Sequence, residues 1–297
     1  MKFSRSEWIT IRGLRYHVRH WGRDDAPMLF MLHGWMDVSA TFQFLVDALA
    51  GEWHVIAPDW RGFGLSEHAA STYWYPDYLA DLESLLEHYS SNHAVTLLGH
   101  SLGANVAAIY AGVRPARIAK LILLEGFGVA ATSPTQAPSH YAKWLDQLRE
   151  PALLRTYASA AEVALRLQKN NRRLSAERAD FLSKHWAREN TEGRWEVLAD
   201  AVHRLPNPYL YRVDEVMACW SNITADVLWI EARDSELISR LGGELHSDAC
   251  QLAARAEIDR RIAFIKKNHR LTVENAGHML QHDQPEILAL AIEQFLQ

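Results

Sequence analysis

Apolar and polar residues recur along this chain with two periods, and the switches between them outline its elements. Leu14, Tyr16 and Val18 alternate with Arg15, His17 and Arg19. That period of two predicts a strand over Leu14 to Trp21, paired with Trp8 to Ile11 across a turn at Arg12-Gly13 as an antiparallel edge. Short apolar runs then alternate with helical patterns. Met28 to Leu32 reads as a strand, Phe42, Leu45, Val46 and Leu49 share a helix face, and Val55 to Ala57 reads as the next strand. Leu79, Leu82, Leu86 and Tyr89 form another helix face, followed by a strand at Val95 to Leu98, a helix at Ala104 to Gly112 and a strand at Leu121 to Leu124. Such repetition builds a mostly parallel sheet covered by helices on both faces, an α/β fold.

From about residue 127 to 208 the strand signal disappears. Amphipathic stretches such as Tyr141, Trp144, Leu145 and Leu148 stand between Pro134, Pro138, Pro151 and Pro206, which predicts a helical cap inserted into a core made of residues 1–126 and 209–297. Lys and Arg outnumber Asp and Glu between His140 and Arg212, as expected of solvated helix faces. Strands resume at Val227 to Ile230 and Leu271 to Glu274. A final helix, Pro285 to Gln297, opens with the proline that suits a first helical turn.

With 297 residues, 48% apolar and 23% charged, the chain has the balance of an ordinary globular protein able to bury a large core. A net charge of −5 and the lack of a basic stripe interleaved with aromatics argue against nucleic acid as a partner. The two cysteines, Cys219 and Cys250, form no C-x-x-C pair and read as free thiols of a reducing compartment. Neither a signal-peptide core nor an apolar run of bilayer length occurs, so a cytoplasmic protein without a membrane partner is expected.

Chemistry enters at Gly99-His-Ser101-Leu-Gly103, a G-x-S-x-G between a predicted strand and a predicted helix. A reversal this tight crowds the backbone, so glycines are needed where any Cβ would clash, and the serine is held out of the sheet. Leu102 opens the helix, leaving its N–H free to face a developing oxyanion. A serine needs a base to take its proton. His278, in Asn275-Ala-Gly-His after the last strand, reaches the same sheet edge. The histidine in turn needs a carboxylate to fix its tautomer. Asp234, in the loop after Val227 to Ile230, is the favoured candidate. Glu125, directly after Leu121 to Leu124, is its rival, and Glu231 is a third choice. The loop after Met28 to Leu32 carries His33-Gly34-Trp35, in which Gly34 permits the turn and the Trp35 N–H is the expected second oxyanion donor. His282 lies four residues beyond His278, but no third ligand recurs at a suitable spacing, so neither a metal nor another cofactor is expected.

Together, the H-G-W, G-H-S-L-G and A-G-H motifs and the segment Asp59-Trp-Arg61-Gly62-Phe-Gly64-Leu-Ser66 resemble the α/β-hydrolase superfamily over essentially the whole chain. The similarity is to its lid-bearing group of esterases, epoxide hydrolases, haloalkane dehalogenases and carbon–carbon bond hydrolases. The chain order Ser101, Asp234, His278 is that superfamily's. The resemblance implies an α/β-hydrolase fold and a serine hydrolase of the carboxylesterase kind. Dehalogenases and epoxide hydrolases of the group carry aspartate where Ser101 stands. Carbon–carbon hydrolases usually show asparagine where His100 stands, which speaks against that chemistry. Asp59 and Arg61 read as structural residues that pair locally. The stretch Ser235 to His269 is longer than the group's usual connection and reads as surface thickening, with a cover over the site as the alternative.

The expected mechanism is attack of Ser101 on an acyl carbonyl, with His278 as base and the Trp35 and Leu102 N–H groups binding the oxyanion. An acyl-enzyme forms and water clears it. Trp35, Trp60, Phe63, Phe127, Tyr141, Trp144 and Trp220 fall in motif loops or the cap; most of them are expected to pack the cap onto the core, and any that face the site would suit a small substrate with an apolar acyl or aryl group. A carboxylic ester is the first substrate to expect, with thioester and lactone beside it. The alternatives are a carbon–carbon hydrolase, a cofactor-free lyase using the same histidine, and a non-hydrolytic binding protein.

Overall fold

The computed structural model describes residues 1–69, 72–149, 153–236 and 248–297. Part of the long connection from Ser235 to His269 and the thiol of Cys250 therefore lie outside the described residues; Cys219 is a free thiol. Strands β1 (Ser4–Ile11) and β2 (Leu14–Trp21) pair antiparallel in full register from Ser4 with Trp21 to Ile11 with Leu14. Arg12 and Gly13 join them with φ of 47° and 81°, the two successive positive values that a two-residue hairpin matched to strand twist requires.

Strand and helix then alternate. In chain order they are β3 (Met28–Leu32), α1 (Gln43–Ala48), β4 (His54–Pro58), α2 (Tyr75–Ser90), β5 (Val95–His100), α3 (Leu102–Val113) and β6 (Ile118–Leu124). The insertion follows, and after it α7 (Val213–Ser221), β10 (Asp226–Ala232), α8 (Asp248–Ile262), β11 (Asn268–Val273), α9 (Leu280–Asp283) and α10 (Pro285–Leu296). One sheet of eight strands runs β1-β2-β4-β3-β5-β6-β10-β11. Every pair from β4 to β11 is parallel, and β2 joins β4 antiparallel.

Successive side chains on a strand face opposite sides of the sheet, and both sides are filled. Leu97, Leu121 and Trp229 belong to the core shared with Leu82 and Ala107 of α2 and α3. Their neighbours Leu98, Ile122 and Ile230 belong to the core shared with Leu45 and Leu288 of α1 and α10. This double covering explains why the inner strands read as continuous apolar runs rather than as alternation.

The insertion holds α4 (Ala137–Arg149), β7 (Thr156–Tyr157), α5 (Ala160–Asn170), α6 (Ala176–Trp186), β8 (Ala187–Glu189) and β9 (Trp195–Val197). Besides the expected helices it therefore contains a small antiparallel sheet, β7-β9-β8. Strands of two or three residues are too short to show a period of two. The helices carry good local signals: Ser159 and Ser175 cap α5 and α6 by accepting from the N–H groups of Glu162 and Arg178. Among the described residues, no helix is long and apolar enough to cross a membrane.

Candidate active site

Ser101 sits between the end of β5 and the start of α3 with φ 53° and ψ −112°, a strained conformation for a residue with a side chain. Its surroundings hold it there. A Cβ on Gly99 would come within 2.4 Å of the Gly103 carbonyl oxygen, and one on Gly103 within 2.1 Å of the Leu32 carbonyl oxygen. Only glycine fits either place. The Ser101 N–H donates to the Leu124 carbonyl at 2.9 Å, tying the turn to the neighbouring strand β6.

His278 follows β11, and its Nε2 lies 3.1 Å from Ser101 Oγ. Its Nδ1 lies 3.3 Å from Oε2 of Glu125. Of the carboxylates named in the sequence, the one that faces this ring is Glu125, the rival, and not Asp234. Glu125 follows β6 directly, with a positive φ of 55° that turns its side chain under the histidine loop, and it is buried. Asp234 instead places its carboxylate against Arg173 at 2.6 Å, with 45% of the side chain exposed. Its backbone still serves the loop, because the Asp234 N–H donates to the Ala276 carbonyl at 3.0 Å. Glu231 pairs with Arg255 and accepts from Thr272.

Glu125 is held by two further donors. The Ala232 N–H reaches Oε1 at 2.7 Å, and the Ser235 hydroxyl donates to Oε2. Burial nevertheless raises its pKa to about 8, against the lowering effect of these two hydrogen bonds.

The loop after β3 comes against the serine: a Cβ on Gly34 would lie 3.3 Å from Ser101 Cβ and 3.1 Å from His100 Nδ1. The Trp35 N–H thus belongs to a loop beside the nucleophile, and the Leu102 N–H belongs to the first turn of α3. The fold therefore brings the loop of Gly34 and the first turn of α3 to the same side of Ser101. His33, whose role the sequence did not reveal, fixes this loop. It accepts the Trp60 N–H at Nε2 at 2.9 Å, while Trp60 Nε1 donates to the His33 carbonyl at 3.1 Å. Burial pushes the His33 pKa down to about 4, so the ring is a neutral acceptor at neutral pH.

A cavity of about 370 Å³ opens over Ser101 and His278, walled by Trp35, Leu167, Leu174, Leu182, Trp186 and Met279. Three of these walls, Leu167, Leu182 and Trp186, come from α5 and α6 of the insertion. Trp186 also donates through Nε1 to the Met36 carbonyl at 2.7 Å, locking the insertion onto the loop that carries Trp35. Of the aromatics singled out in the sequence, Trp35 lines this cavity, whereas Trp60, Phe63, Phe127 and Trp220 are buried in the core. Trp144 packs near Trp74 and Tyr141 is exposed. Trp186, the aromatic wall that the sequence did not single out, sits at the last position of an ordinary amphipathic helix.

The segment around Asp59 is structural. Asp59 lies 2.7 Å from His17 Nδ1 and accepts from the Ser39 and Leu65 N–H groups, and Arg61 pairs with Asp81 rather than with Asp59. His282 shares a hydrogen bond of 2.7 Å with the Thr41 hydroxyl. Among the described residues, no group of three or more His, Cys, Asp or Glu is arranged to hold a metal ion.

Sheet order, strained serine and histidine loop define the class, and comparison with known proteins agrees. The model of the alpha/beta hydrolase fold family matches residues 27–240, and the chain belongs to that family. Within it, the chain is similar to a serine hydrolase-like protein of Danio rerio, 27% identical over 300 residues that cover 98% of this chain and 86% of that one. A serine hydrolase-like protein of Dictyostelium discoideum is 30% identical over 141 residues, 45% of this chain and 39% of that one. Among solved structures, a thioesterase domain from the curacin biosynthetic pathway superposes with a TM-score of 0.84 at 21% identity, covering 98% of this chain and 99% of that one. At that identity the likeness is one of fold.

Proposed function

We propose that this chain is a serine hydrolase cleaving a small carboxylic ester through an acyl-enzyme, with Ser101 as nucleophile, His278 as general base and Glu125 as the acid that orients the base. One observation carries the reading: His278 stands with Nε2 3.1 Å from Ser101 Oγ and Nδ1 3.3 Å from Glu125 Oε2, the relay that makes a serine nucleophilic. His278 takes the Ser101 proton as Oγ attacks the carbonyl carbon. The Trp35 and Leu102 N–H groups receive the oxyanion, and His278 returns the proton to the leaving alcohol. Water, activated by the same histidine, then releases the acid. The serine hydrolase-like names of the relatives support this chemistry.

Residues 127–208 serve as the cap in this proposal, because α5 and α6 wall the cavity over the serine. The apolar walls suit an acyl or aryl group, and Asp37, Asn170 and Asn171 supply the polar part of the lining. The test uses p-nitrophenyl esters of graded chain length and a fluorophosphonate probe read by intact mass, on the native protein and its Ser101→Ala variant. Turnover and a single label in the native protein, both lost in the variant, are expected. Removing the serine should cost on the order of 10⁶ in kcat. A native protein that neither turns over nor labels would overturn the reading.

A further inference from the structure

The residue before the nucleophile is a fully buried histidine that the proposed chemistry does not use. His100 closes β5, is 1% exposed, and lies with its ring 4.8 Å from that of His278. Its Nε2 is 2.8 Å from the backbone carbonyl oxygen of His278. A carbonyl only accepts, so Nε2 carries the proton. Nδ1 is then the acceptor, and the side-chain amide of Gln281 faces it with Nε2 at 3.4 Å. Gln281 is itself buried and donates to the Thr41 hydroxyl at 3.2 Å.

We infer that His100 is a positioning residue: its Nε2–H, donating to the His278 carbonyl, clamps the histidine loop so that the His278 ring stays within reach of Ser101, and Gln281 fixes the tautomer that can donate. The inference rests on the triad reading above.

Three loops meet on this one ring. Ser101 follows His100 in the chain, the His278 carbonyl accepts from it, and Gly34 of the loop carrying Trp35 packs on Nδ1 so closely that a Cβ there would stand 3.1 Å away. Nucleophile, base and oxyanion loop are therefore referenced to one rigid side chain at the end of a central strand. The ring is neutral at neutral pH: burial holds its pKa well below the usual histidine value, and the neighbouring His278 adds to the lowering. A protonated ring would turn a second N–H toward the Gln281 amide donors. The hydrogen bond runs to a main-chain atom, so it restrains where the loop stands without competing for the His278 ring nitrogens. Placement of this kind matters, because a misplacement of about 1 Å can cost on the order of 10²-fold in rate.

The test compares His100→Phe, which keeps a ring but loses the donor, with His100→Gln, whose amide can still donate toward the carbonyl. For each, kcat and KM on p-nitrophenyl butyrate, the rate of fluorophosphonate labelling and amide hydrogen exchange over residues 275–281 are measured beside a thermal melt. The Phe variant is expected to lose about 10²-fold in kcat with KM near native, to label correspondingly slowly, and to exchange faster over 275–281. The Gln variant should recover to within about tenfold of native, roughly the worth of one imperfect hydrogen bond. Gln281→Leu should shift each readout in the same direction by less, and it replaces the Phe variant if that one does not fold. A folded Phe variant with native kcat, or a folded Gln variant no better than Phe, would overturn the inference. Should the native protein neither turn over nor label, the triad reading falls and the exchange decides alone. Unchanged exchange in the Phe variant sinks the clamp, whereas faster exchange reversed in Gln upholds it.

Discussion

Glu125 stands 3.3 Å from the His278 ring at Nδ1, while Asp234 gives its carboxylate to Arg173 in a half-exposed ion pair and only its backbone to the histidine loop. The two acids sit at the ends of adjacent parallel strands, β6 and β10. What separates them is the direction each side chain takes. The positive φ of Glu125 and the donors from Ala232 and Ser235 hold its carboxylate inward, under the loop. Asp234 is drawn outward by a cation of the insertion.

Glu125→Gln keeps the shape and removes the charge that would stabilise the His278 cation. Above about pH 8, where the native carboxylate has formed, a fall in kcat of about 10⁴ is expected, the scale seen when a triad aspartate becomes its amide. Asp234→Asn removes an exposed ion pair worth at most about 1 kcal/mol, and esterase activity should stay within roughly threefold of native. Ester turnover by the two purified variants decides between the acids, and the reverse ranking would restore Asp234.

The pKa of Glu125, raised to about 8 by burial, ties activity to stability with opposite signs. In the unfolded chain this carboxyl titrates near 4.5. Between these values the folded state holds one more proton than the unfolded state, so stability is full below about 4.5 and declines as pH rises through about 8. The slope is about 1.4 kcal/mol per pH unit where the difference is complete. Activity should climb around pH 8, at the upper end of this window, as the folded carboxylate forms. Denaturant unfolding from pH 5 to 9 should show the decline in the native protein and a flatter profile in Glu125→Gln.

Ser235→Ala removes a donor that favours the charged carboxylate. It should therefore move the rise of kcat/KM to higher pH, while leaving the plateau at high pH nearly native. A pH profile superimposable on the native one would show that the Ser235 hydroxyl does not tune Glu125.

Gly103 tests the backbone that presents the serine. A Cβ there would stand 2.1 Å from the Leu32 carbonyl oxygen and 2.8 Å from that of His33, both main-chain atoms of a central strand and its loop. Neither can swing aside as a side chain would. Gly103→Ala should cost more than about 4 kcal/mol, the range reserved for severe core disruption, and a thermal melt should show a large loss or no cooperative transition. Gly13→Ala, at the exposed hairpin with nothing within 4 Å, should cost only about 1 kcal/mol, the strain of a positive φ.

The sheet, the serine turn, the histidine loop and the loop of Gly34 were legible because each is written in local chemistry: period, glycine placement and chain position after a strand. Which carboxylate faces His278 was not, because Glu125 and Asp234 both follow strands and differ only in backbone dihedral and in a long-range partner, Arg173. His33 and His100 escaped for a related reason. Both lie in the quoted motifs, but their hydrogen bonds run to Trp60 and His278, residues distant in sequence, which no local pattern reveals. The sheet β7-β9-β8 was hidden by its length. Most of the aromatics in the motif loops and cap are core, as expected, but which of them would line the cavity was not legible, because a large apolar side chain looks the same in sequence whether it faces a cavity or a neighbouring helix.

The cavity itself offers the last test. Leu167 is half-buried on α5 and faces the space over Ser101 together with Leu174 and Leu182. Replacing it with tryptophan fills part of the 370 Å³ from the insertion side without touching Ser101, His278 or Glu125. A pocket discriminates one methylene by about 10–200-fold. Leu167→Trp should thus reduce kcat/KM for octanoyl esters by at least about tenfold while leaving acetyl ester turnover within roughly threefold. An unchanged chain-length profile would mean that the acyl chain lies elsewhere, toward Trp35 and Met279, and that this part of the insertion covers the site without measuring the substrate.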